Sequence, residues 1–284
     1  MPTAAVAPGF RRVAMIGKPS NAGIAASLRE LRAFLEKRGC KVLEEGEAAS
    51  ADLAVVVGGD GTMLAAARDL VRHHVPLVGI NQGRVGFMTD IGQKDMLRGI
   101  GAILDGEGSM EERSLLDAEV VRGGKPLLRT LALNEAVLGK GAQGRLIEFS
   151  LSLDGEYVYT LRADGVIVAT PTGSTAYAMS AQGPILHPAV PALALVPLNP
   201  HTLSARPVSV SDRSVIEIVL VRAIDARAHF DGFALTDMAE GDRLVLRRSA
   251  DTVRFVHPPG YRYFATLREK LRWSEALDKN PEPE

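Results

Sequence analysis

A glycine-rich turn directly after an apolar run is the strongest chemical signal in the sequence. The run 53–57 leads into the turn, whose residues are Gly58, Gly59, Asp60, Gly61 and Thr62. Glycines allow positive φ and bring backbone amide groups close to an anion, and Thr62 can cap a helix whose positive end faces the same space. The turn therefore predicts a phosphate-binding loop.

Asp60 needs its own explanation, because a carboxylate repels a bound phosphate. Its presence makes sense if it accepts a hydrogen bond from a substrate hydroxyl, or if a metal ion lies between the carboxylate and the phosphates. The alternative is a tight strand-to-helix turn that uses Gly and Asp for conformational reasons alone.

Polar residues also interrupt apolar stretches further along the chain. Asn134 and Glu135 lie within the apolar run 131–138, at or near the edge of an otherwise buried strand. In a dry site both need partners, such as the hydroxyls and purine edge of a nucleoside. Asp164 precedes Gly165 at a predicted strand junction, where it can accept from a carboxamide or a ribose. The alternatives are a solvated strand end and an ordinary Asp-Gly turn.

Residues 170–180 form a hydroxyl-rich segment that reads Thr-Pro-Thr-Gly-Ser-Thr-Ala-Tyr-Ala-Met-Ser. The hydroxyls crowd a Pro-Gly turn ahead of a short helical pattern, and Tyr177 adds an aromatic ring. A helix start capped by Ser or Thr beside a stacking Tyr suits a nucleoside better than it suits a core.

Composition narrows the class of protein. A chain of 284 residues suits two domains, and a net charge of -1 argues against nucleic acid or an anionic membrane as a partner. Cys40 is the single cysteine, so no disulfide framework is expected. No apolar stretch reaches the ~18 residues of a membrane span, and residues 1–10 do not resemble a signal peptide. We therefore expect a cytoplasmic protein.

The first third of the chain alternates strand-like and helix-like patterns. Apolar runs predict strands at 13–16, 53–57 and 77–80, and helical spacing predicts helices at 24–37 and 62–73. This alternation is typical of a Rossmann-like α/β domain with a parallel sheet, whose ligands bind at the strand ends. We place this domain at residues 1–105.

From residue 106 the periodicity becomes that of β-strands. Apolar residues alternate through 147–153, Asp154-Gly155 predicts a hairpin turn, and shorter strands are predicted at 214–221, 243–246 and 252–256. We expect a mostly β domain over 106–261. Helical spacing returns at Phe264, Leu267, Leu271 and Leu277, and we expect the segment 262–284 to complete the first domain.

Several common chemistries lack their motifs. The sequence contains no Walker-type lysine loop, no nucleophile-elbow serine and no GxGxxG after the first strand. Its six histidines are not spaced as metal ligands, so we interpret them as residues of the core, caps and turns.

In this order and spacing, the motifs at 58–62, 134–135, 162–165 and 170–177 resemble those of NAD kinases, specifically the Gram-negative bacterial type. The glycine turn alone is also similar to those of diacylglycerol-type lipid kinases and phosphofructokinases. The Asn-Glu pair and the Thr-Pro-Thr-Gly-Ser-Thr-Ala-Tyr run are far more particular. The resemblance extends over 17–19, 183–186, 200–207 and 257–273.

The resemblance implies the NAD kinase/diacylglycerol kinase-like fold: an α/β domain, a β-sandwich-like dinucleotide-binding domain and a last segment that returns to the first. It also implies a homotetramer or homodimer. The implied reaction transfers the γ-phosphoryl group of ATP to the 2′-hydroxyl of the adenosine ribose of NAD, with a divalent metal cation, Mg²⁺ being expected.

The resemblance also implies residue roles. Asp60 becomes the proton acceptor, and a weak base suffices because a loose phosphoryl-transfer transition state needs little deprotonation until late. Gly58, Gly59 and Thr62 belong to the phosphate loop. The implied dinucleotide-binding residues are Gly61, Asn134, Glu135, Arg145, Arg162, Asp164, Thr175, Ala176, Tyr177, Ala178, Met179 and Ser180.

Within that set, Tyr177 is expected beside adenine and Asp164 at the nicotinamide end. A basic residue at Arg162 accompanies preference for NAD over NADH in the family. One departure is Gly232-Phe233 after Asp231, where related proteins often carry a polar residue, so a ligand contact through that side chain is in doubt.

Two other functions compete with this interpretation. A lipid or sugar kinase of the same superfamily would share the turn, although a lipid kinase requires an apolar entrance that is not evident here. A non-catalytic dinucleotide-binding regulator would keep the pocket, but binding NAD alone gives no reason for a carboxylate at Asp60.

Overall fold

The structure is a computed structural model that describes residues 4–6, 9–83, 86–142 and 144–273. Up to residue 108 its strands are β1 (Ala4–Ala5), β2 (Arg12–Gly17), β3 (Lys41–Leu43), β4 (Leu53–Val57), β5 (Leu77–Asn81) and β6 (Ile91–Gly92). The α-helices of this stretch are α1 (Ala22–Lys37), α2 (Asp60–Leu70) and α3 (Met96–Leu104).

The remainder of the described chain is mostly β. Its strands are β7 (Ser109–Arg122), β8 (Lys125–Ala132), β9 (Glu135–Lys140), β10 (Ile147–Leu153), β11 (Glu156–Ala163), β12 (Gly165–Ala169), β13 (Ala192–Leu198), β14 (Val208–Ser211), β15 (Ile216–Arg222), β16 (Ala226–Phe230), β17 (Ala234–Met238) and β18 (Arg243–His257). Two helices are added, α4 (Tyr177–Ser180) and α5 (Tyr263–Leu271).

The chain folds into two compact units. The α/β unit contains the described residues up to Glu112 and those from Val253 onward, and the β unit contains Arg113–Thr252. The domain limits predicted from the sequence, 105 and 261, fall near these positions. Helix α5 belongs to the α/β unit, while Leu277 and the rest of the predicted segment after residue 273 lie outside the described residues.

The core of the α/β unit is a parallel sheet in the order β3-β2-β4-β5, with the end of β18 parallel to β5. Strand β4 is buried along its whole length, as expected for a continuous apolar run covered on both faces. Leu31 and Leu35 of α1 and Ile100 and Ile103 of α3 pack into the same core. This sheet brings the end of β4, and the glycine turn after it, to the surface.

In the β unit, side chains of two antiparallel sheets form one core. One sheet has the order β14-β13-β12-β9-β16-β17, and the other includes β11, β10, β15 and the start of β18. Leu138 and Val166 of the first sheet share a hydrophobic cluster with Phe149 and Ile218 of the second. The predicted combination of an α/β domain and a mostly β, sandwich-like domain is therefore confirmed.

Strand β12 is buried on both faces, and this places the hydroxyl-rich segment. Val166 and Val168 point into the core between the sheets. Ile167 and Ala169 point to the other face, where Ala178 packs against them. Because side chains alternate along a strand, the chain after β12 covers the outer face of the sheet.

Strand β18 and helix α3 differ from the sequence prediction. The strands predicted at 243–246 and 252–256 are one continuous strand, β18, because the polar residues between them keep the extended backbone. Helix α3 was not predicted. No helix among the described residues combines the length and the apolar character that crossing a membrane requires.

Replacing Phe149 by alanine should lower the free energy of unfolding by about 3–5 kcal/mol, because the ring is fully buried and its removal leaves a cavity. Urea denaturation followed by circular dichroism would measure the loss. Phe233→Ala is the control, since Phe233 is 45% exposed and should lose less than about 1 kcal/mol. Equal losses would contradict the assignment of Phe149 to the core.

Candidate functional site

The glycine turn lies in the α/β unit, between β4 and α2. Helix α2 begins at Asp60 with Gly59 as its N-cap, so the prediction that Thr62 caps the helix is wrong; Thr62 lies inside the first turn. The positive-φ explanation is also wrong, because Gly58, Gly59 and Gly61 all have φ outside the left-handed region. Gly58 is required by packing instead, since a Cβ there would lie 2.6 Å from Thr62 Oγ1.

Gly59 and Gly61 are exposed, and a Cβ at either position would meet nothing within 4 Å. Local packing therefore does not explain why these two residues are glycines. The open space leaves the backbone at the start of α2 accessible to a ligand, as a phosphate-binding turn requires.

The Asp60 carboxylate is held by the loop that follows β5. Its Oδ2 accepts a hydrogen bond from the Phe87 N–H at 2.9 Å, and its Oδ1 accepts one from the Met88 N–H at 3.1 Å. Gly86 permits this approach, because a Cβ there would collide with Oδ1. Each carboxylate oxygen can accept a further hydrogen bond, so Asp60 can receive a hydroxyl group in a fixed orientation.

Sequence analysis missed this supporting loop. The available signal was a second glycine-containing segment, with Gly83 and Gly86, directly after a parallel strand. What the sequence does not reveal is that two of its amide groups point at a carboxylate 27 and 28 residues earlier.

In the β unit, Leu133 and Asn134 form a short loop between β8 and β9, and Glu135 is the first residue of β9. From the sequence, the Asn-Glu pair was placed at or near the edge of one buried strand over 131–138. The correction is that the strand ends at Ala132 and a new one starts, with β9 lying between β12 and β16 in its sheet. The loop is therefore at the end of a central strand.

Asp231 and Thr170 hold this loop from two sides. The Asp231 carboxylate accepts hydrogen bonds from the backbone N–H groups of Leu133 at 2.6 Å, Asn134 at 2.8 Å and Glu135 at 3.0 Å. The Thr170 hydroxyl donates to Leu133 O, and the Thr170 N–H donates to Asn134 O at 2.9 Å. Sequence analysis assigned no role to Asp231.

A cavity of about 450 Å³ opens beside this loop. It brings together three of the predicted site residues, Glu135, Asp164 and Tyr177. The other lining residues are Val137, Gly139, Lys140, Leu198, Asn199, His229, Asp231 and Gly232. The polar members Lys140, Asn199 and His229 were not identified from the sequence, because each stands alone in an otherwise ordinary strand or turn.

Asp164 lies between β11 and β12, as predicted, and has two partners in the cavity. Lys140 Nζ lies 2.6 Å from its Oδ1, and Asn199 donates from Nδ2 to its Oδ2 at 2.9 Å. These hydrogen bonds, from Lys140 first and Asn199 second, hold the pKa of the Asp164 carboxyl below its ordinary value. Asp164 is therefore a charged acceptor whose orientation is fixed before a ligand arrives.

Glu135 has the opposite electrostatic environment. Burial raises its pKa to about 7, and the neighbouring charge of Asp231 adds to the increase. Its Oε2 is buried and has no hydrogen-bond partner in the described structure. Glu135 therefore changes its protonation state near neutral pH, unlike Asp164 in the same cavity.

The hydroxyls of residues 170–180 do not cap helix α4, contrary to the prediction. Ser174 Oγ donates to Pro171 O at 2.6 Å, and Thr175 Oγ1 donates to Thr172 O at 3.1 Å. They stabilise the turn itself, which contains a 3₁₀ segment before the four-residue helix α4.

The remaining predicted residues of this segment differ in access to solvent. Tyr177 is 49% exposed and Ser180 is exposed, whereas Thr175 and Ala178 are buried. Ala176 and Met179 are partly exposed. Tyr177 and Ser180 also line a second cavity of about 550 Å³, and Tyr177, Leu198 and Asn199 are common to both cavities.

Arg145 and Arg162 are exposed and line neither cavity. Arg162 lies on β11, an edge strand of its sheet, and its carbonyl accepts a hydrogen bond from the His201 N–H at 2.8 Å. Phe233 lies in the segment after Asp231 where related proteins often carry a polar residue, and it is about half exposed.

Within the part of the chain that the structure describes, no group of three or more His, Cys, Asp or Glu side chains is placed to hold a metal ion. Asp60 is the one carboxylate of the glycine turn. A metal ion at this turn would need ligands besides Asp60, such as phosphate oxygens.

Comparison with protein families matches both parts of the chain. Residues 35–107 match the ATP-NAD kinase N-terminal domain, and residues 133–258 match the ATP-NAD kinase C-terminal domain. An NAD kinase of Aromatoleum aromaticum is 56% identical, with the alignment covering 93% of this chain and 95% of that protein. An NAD kinase of Azoarcus sp. is 53% identical, covering 93% and 97%.

Two solved structures have similar folds. A yeast NADH kinase in complex with NADH superposes with a TM-score of 0.85 over 96% of this chain and 90% of its own, at 21% identity. An NAD kinase from Archaeoglobus fulgidus in complex with ATP superposes with a TM-score of 0.77 over 91% and 99%, at 28% identity. The likeness to the yeast protein shows the fold alone.

Glu135→Gln should stabilise the protein at alkaline pH. Because the pKa of Glu135 is about 7 in the folded protein and 4.5 as a free group, the folded state binds its proton more tightly than the unfolded chain. The free energy of unfolding therefore falls as the pH rises through this range. The neutral glutamine avoids this loss, so the variant should be about 1–3 kcal/mol more stable than the wild type at pH 8.5.

Urea denaturation of both proteins at pH 5.5 and pH 8.5 provides the measurement. The difference should be clearly smaller at pH 5.5 than at pH 8.5, because the loss of stability begins above the pKa of 4.5 of the free group and is complete only above the folded pKa of about 7. A gain of the same size at both values would show that ionisation of Glu135 is not its cause.

Proposed function

Because the chain belongs to the NAD kinase family, we propose that it transfers the γ-phosphoryl group of ATP to the 2′-hydroxyl of the adenosine ribose of NAD. It is an enzyme that phosphorylates NAD to NADP, and the resemblance inferred from its motifs is confirmed. The observation that carries the assignment is the match to NAD kinases along almost the whole chain. A lipid or sugar kinase does not fit that match.

We propose that Asp60 binds and orients the reacting 2′-hydroxyl of the ribose. The carboxylate is fixed by two backbone amide groups and keeps lone pairs for one more donor, which is what orienting a ribose hydroxyl requires. With a loose transition state, orientation contributes more than basicity. Gly58, Gly59 and Thr62 form the turn proposed to approach the phosphates of ATP.

We propose that the dinucleotide binds to the β unit. Glu135, Asp164 and Tyr177 already share one cavity, and Ser180 lies in the adjoining one. Asn134 lies in the loop directly before Glu135. For the buried Thr175 and Ala178, any contact with NAD would come from the backbone. Gly61, Arg145 and Arg162 complete the proposed set, together with Ala176 and Met179.

The proposed cofactor is Mg²⁺, which neutralises phosphate charge during phosphoryl transfer when bound. Since no cluster of three or more His, Cys, Asp or Glu side chains occurs among the described residues, we propose that the ion comes with ATP and is held mainly by phosphate oxygens. A homotetramer or homodimer and a cytoplasmic location are further parts of the proposal, as are the domain limits 1–105 with 262–284, and 106–261.

Asp60→Asn should reduce the rate of NADP formation at least about 100-fold while NAD still binds, because an amide keeps the shape of the side chain but cannot take up the hydroxyl proton. A coupled assay with an NADP-specific dehydrogenase measures the rate, and calorimetry measures NAD binding. Asp69→Asn, an exposed change on the same helix, is the matched control.

An unchanged rate in Asp60→Asn would remove Asp60 from the chemistry. A folded wild-type protein that binds NAD but forms no NADP would instead support the non-catalytic regulator.

The wild-type protein should use NAD at least about tenfold better than NADH, as judged by kcat/KM with each substrate. The prediction rests on the basic residue at Arg162, and Arg162→Gln should reduce the ratio. Arg222→Gln is the matched control. Arg222 on β15 and Arg162 on β11 are both exposed, and each lies opposite Glu148 of β10 in the strand register, on the two sides of β10. Comparable turnover of NADH by the wild type would refute the preference.

A further inference from the structure

We propose that Asp231 is a positioning residue, which holds the loop of Leu133 and Asn134 and the start of β9 so that Asn134 and Glu135 are oriented to bind NAD. The inference rests on the proposed function, because it concerns the same dinucleotide cavity. It adds a residue to which neither the motifs nor the family resemblance gave a role.

The first argument is the number of hydrogen bonds that one side chain makes. Asp231 Oδ2 accepts from the Leu133 N–H, and Oδ1 accepts from both the Asn134 N–H and the Glu135 N–H. The Asp231 N–H returns a hydrogen bond to Glu135 O at 3.1 Å. Bonds from N–H groups to a charged carboxylate are stronger than those to a neutral acceptor, so the charge of Asp231 matters for the loop.

The second argument is that the carbonyl side of the loop is also fixed. Its carbonyl groups are already used, because Leu133 O and Asn134 O accept from the hydroxyl and the N–H of Thr170. Gly173 packs so closely that a Cβ there would collide with Asn134 O. The loop therefore cannot rotate its amide groups toward other acceptors without losing these contacts.

The third argument is that Asp231 is itself held rigidly. It lies in the turn between β16 and β17, with φ of 50° followed by Gly232 with φ of 71°. Phe230, directly before it, pairs with Ala136 of β9 and with Ala234 of β17. Asp231 thus fixes the loop relative to the sheet that forms the cavity wall.

The charge of Asp231 has a second effect in the cavity. It contributes, after burial, to the raised pKa of Glu135. The other titratable groups that line the cavity are Lys140, Asp164, Tyr177 and His229. Lys140 and Asp164 pair with each other, and burial followed by the charge of Arg227 lowers the pKa of His229. Removing the charge of Asp231 therefore lowers the pKa of Glu135.

Asp231→Asn is the informative variant. Asparagine tolerates the left-handed conformation as well as aspartate, so the turn is kept, but its amide has one acceptor oxygen for three N–H groups. We expect Kd and KM for NAD to rise about tenfold, with kcat and the KM for ATP changed less than about twofold. The acid limb of kcat/KM for NAD should move to lower pH, since Glu135 stays ionised further into the acid range.

The pH profile separates positioning from a general loss of stability, which would move the acid limb to higher pH. Asp212→Asn is the stability control, because Asp212 is a buried carboxylate of the same unit, paired with Arg248 and absent from the cavity. It should lower stability and leave Kd for NAD unchanged, and any shift of its acid limb should be to higher pH. Glu135→Gln should abolish the limb, which excludes His229 as its source.

Asp231→Glu keeps the proposal testable if the asparagine variant does not fold. It retains the charge but displaces the oxygens, so Kd for NAD should rise while the acid limb stays in place. The proposal would be overturned if a folded variant bound NAD with the Kd of the wild type and the acid limb of Asp231→Asn did not move. Absence of NADP from the wild type would refute the proposed reaction instead, and the Kd measurement would still decide the role of Asp231.

Discussion

Carboxylate groups that accept hydrogen bonds from backbone amides are the interaction on which both candidate sites depend. In the α/β unit, Asp60 is oriented by the amide groups of Phe87 and Met88. In the β unit, Asp231 gathers three consecutive amide groups at the start of β9. In each case a carboxylate side chain fixes backbone at or beyond the end of a strand. The two carboxylates differ in the number of backbone groups that they hold, because Asp60 accepts from two N–H groups and Asp231 from three.

Much of the framework around these carboxylates could be predicted from the sequence, because it depends on local patterns. The apolar run of β4 and the alternation of β10 correspond closely to the observed strands. A strand buried on both faces is apolar throughout, and a strand buried on one face alternates, so each pattern can be recognised in the sequence. Asp154-Gly155 marks the hairpin because this turn requires positive φ at two successive residues, and Asp154 and Gly155 both have it. The position of the glycine turn between a strand and a helix was also predicted correctly, although the reason given for its glycines was not: Gly58 is needed for contact with Thr62 rather than for its φ.

The rest could not be predicted, because it depends on contacts between distant parts of the chain. Asp231 and Leu133 are 98 positions apart, and nothing near either residue indicates that they meet. The same holds for Lys140 and Asn199, which converge on Asp164 from β9 and the end of β13. The hydroxyls of Ser174 and Thr175 show a related difficulty, because residues suited to capping a helix can equally bond to carbonyls within their own turn.

The electrostatics of the cavity indicate why Glu135 is kept where its ionisation is costly. Hydrogen bonds from Lys140 and Asn199 lower the pKa of the Asp164 carboxyl, so Asp164 is the more readily ionised acceptor of the cavity. Glu135, by contrast, is buried beside Asp231 with an unpaired oxygen, and a donor from a ligand would remove part of the free-energy cost of its charge. Binding of a hydroxyl-bearing ligand and ionisation of Glu135 should therefore favour each other. The cost of the Glu135 charge, which lowers the stability of the free protein, is therefore a source of affinity for the dinucleotide. Asp231 contributes to that cost and, through it, to the affinity.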